Sequence, residues 1–263
     1  MHRDKAGGEQ LFEQYYSSVY GHRWDGLKQA LCQETAPVCP DGPLVSPYYM
    51  DRASIAAASL LPVSPGQSVL DMCAAPGGKT LILAMKLYGE GLLVANDRSS
   101  DRRGRLHNVV GSCLGPELSK TVKITGHDST RWGLHEQSVY DCVLLDAPCS
   151  SERHVIKDPV ALRQWSPSRP KRLSIQQFAM LSSALIAVKP GGYILYSTCS
   201  ICPAENQEVI EKLISRHPDE VREIALADDD ARGSEQLGHG RIFLPDNGQN
   251  MGPLYFCLLR RTE

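Results

Sequence analysis

The chain is predicted to fold as an α/β domain around a mostly parallel sheet. Three observations lead there. From Gln67 onward, short apolar segments of strand length alternate with longer helical ones, the pattern of a sheet wrapped by helices. Tyr140–Leu145 holds a continuous apolar run, as strands buried on both faces do. Residues with chemistry cluster where the strands end, in Asp71–Lys79, at Asp97, at Asp128, in Asp146–Cys149 and at Thr198–Cys199. Open parallel sheets bind their ligands at those ends.

Each element has its own signal. Residues 9–50 read as a separate cap, because Leu11, Tyr15, Val19 and then Leu27, Leu31 recur at roughly helical spacing. Pro37, Pro40, Asp41, Gly42 and Pro43 mark a loop. Asp51 is suited to cap a helix through Leu61, which Pro62, Pro65 and Gly66 end. The expected division is a cap over 1–50 and a main domain over 51–263. Ser68–Met72 is a strand running into a Gly/Pro turn, followed by a helix over Lys79–Leu87. Leu92–Asn96 is the second strand, Ser100–Cys113 a helix, Thr121–Thr125 the third strand and Tyr140–Leu145 the fourth. Cys149–Arg169 reads as irregular. A helix over Lys171–Val188, a Gly191-Gly192 turn, a strand over Tyr193–Ser197 and a helix over Glu205–Ser215 follow. Val221–Ala225 and Leu254–Leu259 close the sheet.

Composition bounds the class. The chain has 263 residues, 42% hydrophobic and 22% charged, which suits one substantial domain with a small appendage. The absence of an 18-residue apolar run argues against a membrane span, and the opening MHRDKAGGEQ lacks the apolar stretch of a secretory signal. Nine cysteines without such a signal are expected to be thiols in a reducing compartment. The cytoplasm is the expected location, or the mitochondrion if a transit peptide precedes this chain. The net charge of -2 makes no general nucleic-acid magnet. Two basic segments could still form one positive face: Arg98, Arg102, Arg103, Arg105, and Arg153, Lys157, Arg163, Arg169, Lys171, Arg172.

The run Cys73, Ala74, Ala75, Pro76, Gly77, Gly78, Lys79 follows the first strand and opens a helix. Small residues let a ligand approach the backbone, and a helix start offers free N–H groups. It is neither the dinucleotide GxGxxG nor the phosphate GxxxxGK[ST] pattern, and on turn composition alone a ligand role and a structural role stand level. Asp97, at the end of the second strand, can accept both hydroxyls of a ribose, and Asp128 would lie near an adenine edge. Asp146-Ala147-Pro148-Cys149 ends the fourth strand and Ser197-Thr198-Cys199-Ser200 the fifth, so two thiols and an acid would face one pocket. Cys199 and Cys202 form a CxxC, but a closed zinc site wants a second pair and the sequence has none, so no metal is expected.

DMCAAPGGKT, DAPCS and YSTCS, in this order and at these separations, resemble the Sun (Fmu/RsmB-type) family of RNA cytosine-5 methyltransferases. The likeness runs over residues 45–260 and includes YYMDRASIAAASLLP and NMGPLYFCLLRR. With PCSSERH, these flanks look nearest to the branch that includes the mitochondrial small-subunit ribosomal RNA methyltransferase. The resemblance implies a Rossmann-like class I methyltransferase fold with seven strands and helices on both faces. It implies S-adenosylmethionine as cofactor: Cys73 through Lys79 cradling its methionine part, Asp97 on the ribose with Arg102 beside it, Asp128 by the adenine and Asp146 between cofactor and base. Cys199 would be the nucleophile and Cys149 would assist product release. The family's usual Gly soon after PCS is replaced here by Ser151-Glu152-Arg153-His154.

The chemistry explains two thiols. Carbon 5 of cytosine is a poor nucleophile until a thiolate adds to carbon 6 and makes an enamine. A methyltransferase acting on an exocyclic amine needs no such thiol and typically resembles an N/D-P-P-Y/F pattern where DAPC stands. A nicotinamide oxidoreductase would need the glycine fingerprint. A silent RNA-binding or ribosome-assembly protein would be free to lose Cys149, Cys199 or the Gly pair, and all are present. Small-subunit ribosomal RNA is the expected substrate and transfer RNA the alternative. With no separate RNA-binding domain in view, selection is expected to need a protein partner or a structured ribosomal particle.

Overall fold

The computed structural model describes residues 7–229, 231–249 and 251–262. Two N-terminal helices, α1 (Gly8–Tyr20) and α2 (Trp24–Cys32), precede α3 (Arg52–Leu60). The α/β part follows: β1 (Ser68–Asp71), α4 (Gly78–Leu87), β2 (Leu92–Asn96), α5 (Ser100–Cys113), α6 (Pro116–Ser119), β3 (Val122–Thr125) and β4 (Tyr140–Asp146). Then come α7 (Glu152–Lys157), α8 (Pro159–Arg163), α9 (Ser168–Ala187), β5 (Val188–Thr198) and α10 (Gln207–Arg216). Short strands β6 (Val221–Glu223), β7 (Glu235–Gln236) and β8 (Arg241–Phe243) lead to β9 (Leu254–Arg261).

The strands form one sheet in the order β3-β2-β1-β4-β5-β9-β8-β7, with β6 also on β9. Strands β1 to β5 pair in parallel and β9 runs antiparallel to β5. The order reverses between β1 and β4, so a crevice opens at their carboxyl ends. Alternate residues feed opposite layers, which is why the central strands read as unbroken apolar runs. Leu70, Val143, Leu145 and Tyr196 pack on the side of α9. Val69, Leu144 and Leu195 pack on the side of α3, α4 and α5. Each such leucine, fully buried, contributes roughly 1.5–3 kcal/mol.

Three expectations change. The sheet has nine strands among the described residues rather than seven. β6 and β8 share one edge of β9, pairing with Leu259–Arg261 and Leu254–Phe256 respectively, and β7 lies beyond β8. β6 falls within the expected Val221–Ala225, whereas β7 and β8, of 2 and 3 residues, are too short to leave a period-2 signature. Residues 149–169 are not irregular throughout but hold α7 and α8. The start of α8 was readable: Asp158 accepts from the backbone N–H groups of Val160 (2.8 Å) and Ala161 (3.2 Å), with Pro159 opening the helix. The core also continues across residue 50, since Phe12, Tyr16, Trp24, Leu27 and Leu31 join the cluster that includes Val143 and Tyr196.

Trp165, between α8 and α9, packs edge-on against Phe12 at 5.2 Å, and Tyr16 stacks on Trp24 at 5.3 Å. These aromatics seat α1 and α2 against the loops that follow β4 and β5. Arg23 adds a second fastening, donating to Glu235 and Asp246 at 2.6–2.8 Å.

Candidate functional site

The loop after β1 and the start of α4 form the first wall. Gly77 sits at φ +126°, and a Cβ there would meet Val109 at 2.9 Å. A Cβ on Gly78 would meet the Tyr48 ring at 2.9 Å. Both positions therefore need glycine, one for its backbone angle and one for close packing. A cleft of about 160 Å³ lies along this loop, lined by Tyr48, Asp71, Ala74, Pro76, Lys79 and Asp146. A neighbouring pocket of about 380 Å³ is lined by Cys73, Asp97, Arg98, Asp128, Ser129 and Met180. Buried Asn96 braces the segments beside it. Its amide donates to the carbonyls of Met72 and His127 and to Ser129, each at 3.1 Å, and its oxygen accepts from Thr125 and the His127 backbone. The ends of β1 and β3 are thereby locked beside Asp97.

Asp97 is buried, and one carboxylate oxygen accepts from the Ser99 backbone at 3.0 Å. The other, Oδ2, has no hydrogen-bond partner, with the Arg102 guanidinium 3.5 Å away. Arg102 also donates to the Ala75 carbonyl, tying α5 to the first loop. Asp128 accepts from the Thr130 backbone and hydroxyl at 3.0 and 2.8 Å and faces Arg98 at 3.6 Å. The Thr130 hydroxyl bond leads the contacts that hold its carboxyl below the usual range, against a smaller opposing effect of burial. Asp71, which the sequence reading did not single out by itself, is fully buried with Oδ1 unpartnered, and burial pushes its carboxyl up to about 7.

The second wall joins the ends of β4 and β5. Asp146 pairs in register with Ser197. The Ser197 hydroxyl donates to one Asp146 oxygen and the Lys79 ammonium to the other, both at 2.7 Å. Burial pulls the Lys79 ammonium down, but Asp146 outweighs it and the net shift is upward. Cys149 and Cys199 lie with sulfurs 3.0 Å apart as free thiols. Their environments push them in opposite directions. The bond to Cys199, with burial, raises Cys149 far above an ordinary thiol. The bond from Cys149 lowers Cys199 despite its burial, and the Ser151 hydroxyl at 3.5 Å adds to the effect. The contact therefore favours ionisation at Cys199 over Cys149, with Cys149 as the S–H donor when Cys199 is ionised. Ser151 holds φ +55°, a left-handed angle that glycine takes without strain.

A cavity of about 690 Å³ opens over Asp146, Cys149 and Cys199. Asp51, Arg153 and Lys157 also line it. Arg153 donates to Thr35 at 3.4 Å, while its Nε and Nη2 are buried without partners. The basic segments divide differently from the expectation. Arg102 is committed to Ala75 and Asp97, Arg103 donates to the carbonyls of Asp97 and Arg98, and Arg169 donates to the Ser150 carbonyl at 3.3 Å. Spacing cannot reveal these backbone attachments. Arg105, Arg163, Lys171 and Arg172 are exposed. Cys202 is buried with its sulfur 3.2 Å from the Tyr15 hydroxyl. No His/Cys/Asp/Glu group suited to a metal ion occurs among the described residues.

A family model described as 16S rRNA methyltransferase RsmB/F matches residues 58–260. The chain belongs to the RsmB/F family. Among its relatives, the 5-cytosine rRNA methyltransferase NSUN4 of Bos taurus is 34% identical over 233 residues, covering 83% of this chain and 60% of that protein. The mitochondrial tRNA (cytosine(34)-C(5))-methyltransferase of Danio rerio is also 34% identical, covering 81% and 60%. Ribosomal RNA small subunit methyltransferase F of Erwinia tasmaniensis is 39% identical over 182 residues, covering 66% and 36%. This RsmB/F chain thus spans at most about three fifths of these relatives. A methyltransferase homolog protein from Pyrococcus horikoshii superposes with a TM-score of 0.75 at 21% identity, over 95% of this chain and 94% of that one. NSun6 from the same organism, solved with SFG, gives 0.66 at 22% identity, over 82% and 53%. The fold is that of class I methyltransferases.

Proposed function

We propose that this chain is an S-adenosylmethionine-dependent RNA cytosine-5 methyltransferase acting on small-subunit ribosomal RNA, with Cys199 as nucleophile. The observation that carries the reading is the pair of cysteine sulfurs, Cys149 and Cys199, 3.0 Å apart beside Asp146. It faces a cavity that adjoins the Gly-Gly cleft through Lys79 and Asp146.

The cleft residues suit the cofactor. The unpartnered Asp97 Oδ2 is a buried acceptor for ribose hydroxyls, and Asp128 borders the same pocket where an adenine would lie. Cys73 through Lys79 and Asp71 would hold the methionine end. The bound cofactor supplies the electrophilic methyl that carbon 5 accepts. The chain does the rest. Cys199, the more readily ionised of the two, gives up its proton and adds as a thiolate to carbon 6, which makes carbon 5 nucleophilic. Asp146, held at both oxygens, presents a remaining lone pair to an N–H of the cytosine amino group and so fixes the base against Cys199. When the carbon 5 proton leaves to water, the bond to carbon 6 breaks and Cys199 departs as a thiolate. The Cys149 S–H stabilises that leaving group by restoring the resting hydrogen bond. A base must leave its stack to enter, so flipping or a single-stranded target is expected.

For RNA, exposed Lys171 and Arg172 offer phosphate contacts, and Arg153 and Lys157 line the cavity. The names of the bovine and Erwinia relatives support ribosomal RNA, as does the family description. The zebrafish relative, equal in identity to the bovine one, favours transfer RNA as the second reading. Selection through a protein partner or a ribosomal particle is part of the proposal. All nine cysteines are thiols, which fits a reducing compartment, cytoplasmic or mitochondrial. No helix among the described residues is long and apolar enough to cross a membrane.

Denaturing electrophoresis of Cys149→Ala with small-subunit ribosomal RNA and cofactor should show an RNA adduct that maps to Cys199. Cys199→Ala should show none and no methylation. Full activity in Cys199→Ala would end the covalent reading, and modification of transfer RNA alone would select the second substrate.

A further inference from the structure

Two buried carboxyls stand behind the cysteines, and the chemistry above does not use them. Glu152 and Glu205 are completely buried, as are Ser150 and Ser200, the residues after each cysteine. The Ser150 hydroxyl bridges Glu152 Oε1 and Glu205 Oε1 and lies 3.1 Å from Ser200 Oγ. The other Glu205 oxygen accepts from the Ser150 backbone at 2.9 Å and from Gln177 at 2.8 Å. Glu152 Oε1 also accepts from Tyr16 at 2.6 Å, and its Oε2 from the Ile201 backbone at 3.0 Å.

Counting protons assigns the states. Ser150 has one hydroxyl proton and two carboxyl oxygens to satisfy. If both carboxyls were charged, one contact would set lone pair against lone pair. Donors surround both carboxyls: Glu152 accepts from Tyr16 and Ile201, and Glu205 from the Ser150 backbone, from Gln177 and from the Ser200 hydroxyl at 3.2 Å. The Ser150 bridge still lacks one proton, so one carboxyl must carry it. Burial, followed by the charge of Glu152, pushes the Glu205 carboxyl up to about 7, which makes Glu205 the acid: its Oε1–H donates to Ser150, and Ser150 donates to Glu152.

We infer that the chain of Glu205 acid, Ser150 hydroxyl and Glu152 carboxylate is a clasp that sets the spacing of Cys149 and Cys199, making Glu152 and Glu205 positioning residues. The clasp joins the loop after β4 to the loop after β5, one residue beyond each sulfur. Tyr16 on α1 completes it, with Tyr20 donating to the Ile201 carbonyl at 2.6 Å. The spacing matters only if the thiols act as a pair, so this inference rests on the proposed roles of Cys149 and Cys199.

The two carboxyls predict opposite responses to the same change. In Glu205→Gln, the amide N–H₂ replaces the donated proton and the amide oxygen keeps the Ser150 and Gln177 bonds. Turnover should stay within about twofold of the native chain, whereas Glu205→Ala should lose at least about tenfold. In Glu152→Gln, one amide hydrogen must face a donor, and turnover should fall at least about tenfold with cofactor affinity unchanged. The slowed variants should accumulate the Cys199–RNA adduct, because Cys149 no longer meets the leaving sulfur. A role confined to stability would not change that partition. Ser150→Ala, a smaller deletion, should show the same accumulation even if Glu152→Gln fails to fold. Cys149→Ala runs alongside. If it accumulates no adduct, the release role has failed, and the clasp is then judged on the turnover contrast between Glu205→Gln and Glu152→Gln. Equal losses in those two, or native turnover and no adduct in Ser150→Ala, would overturn the clasp.

Discussion

The opposed shifts of the two cysteines lead to a measurable prediction. Cys149→Ala removes the S–H that points at the Cys199 sulfur from 3.0 Å. A hydrogen bond to a charged group contributes about 1.5–3 kcal/mol. One pKa unit corresponds to about 1.36 kcal/mol, so Cys199 should rise by roughly one to two units. The sign is fixed by which form accepts the bond: Cys149 stabilises the thiolate, so its loss favours the thiol. Burial, which opposes the thiolate, then acts with only Ser151 to counter it. The assay is alkylation of Cys199 as a function of pH, read by mass mapping of the labelled peptide, because eight other cysteines are present. The midpoint should move to higher pH by that amount, and adduct formation at neutral pH should slow by about ten- to a hundredfold. In the native chain the first proton lost belongs to the pair, so native and variant midpoints are compared rather than read singly. A midpoint that stays put or moves to lower pH would refute the donor role of Cys149.

Four further outcomes follow from the geometry. Asp97→Ala should weaken S-adenosylmethionine binding by about ten- to a hundredfold in calorimetry, since a buried charged acceptor is lost. Lys171→Glu with Arg172→Glu should weaken RNA binding, lower the slope of log affinity against log salt by roughly 2 and leave cofactor affinity alone. Ser151→Gly should relieve about 1 kcal/mol of left-handed strain while moving Cys199 alkylation to higher pH, so stability and reactivity change in opposite senses. Glu205→Gln should flatten the dependence of stability on pH. A carboxyl raised from 4.5 to about 7 in the folded chain takes up a proton on folding, so its contribution is full below about pH 4.5 and is lost as pH rises to about 7. That loss is worth about 3 kcal/mol, and denaturant titrations at pH 5 and pH 8 should show a correspondingly smaller difference in the variant.

What the sequence made legible divides by the range of the interaction. Strands β1 to β5 and their helices were readable because their signals are local: apolar runs, an Asp51 cap, Gly-Gly turns. Their carboxyl ends then placed Asp97, Asp146, Cys149 and Cys199 on one crevice, because parallel topology brings strand ends together regardless of the intervening chain. The clasp was not readable. Glu152 and Glu205 look like surface acids at helix starts, and nothing in their neighbours says that they meet through Ser150. Nor does the apolar spacing of α1 say that the hydroxyls of Tyr15, Tyr16 and Tyr20 reach Cys202, Glu152 and the Ile201 carbonyl. Helical periodicity reports which face is buried and is silent on what a tyrosine does at its polar tip. The basic segments were legible only in part for the same reason, since Arg102, Arg103 and Arg169 spend donors on backbone carbonyls while Arg105, Arg163, Lys171 and Arg172 stay exposed. A segment that reads as a detachable cap thus supplies three hydroxyls to the loops that carry the cysteines. Its removal should disturb the spacing of the two sulfurs before it disturbs the sheet, whose central strands are covered on the opposite face by α3, α4 and α5.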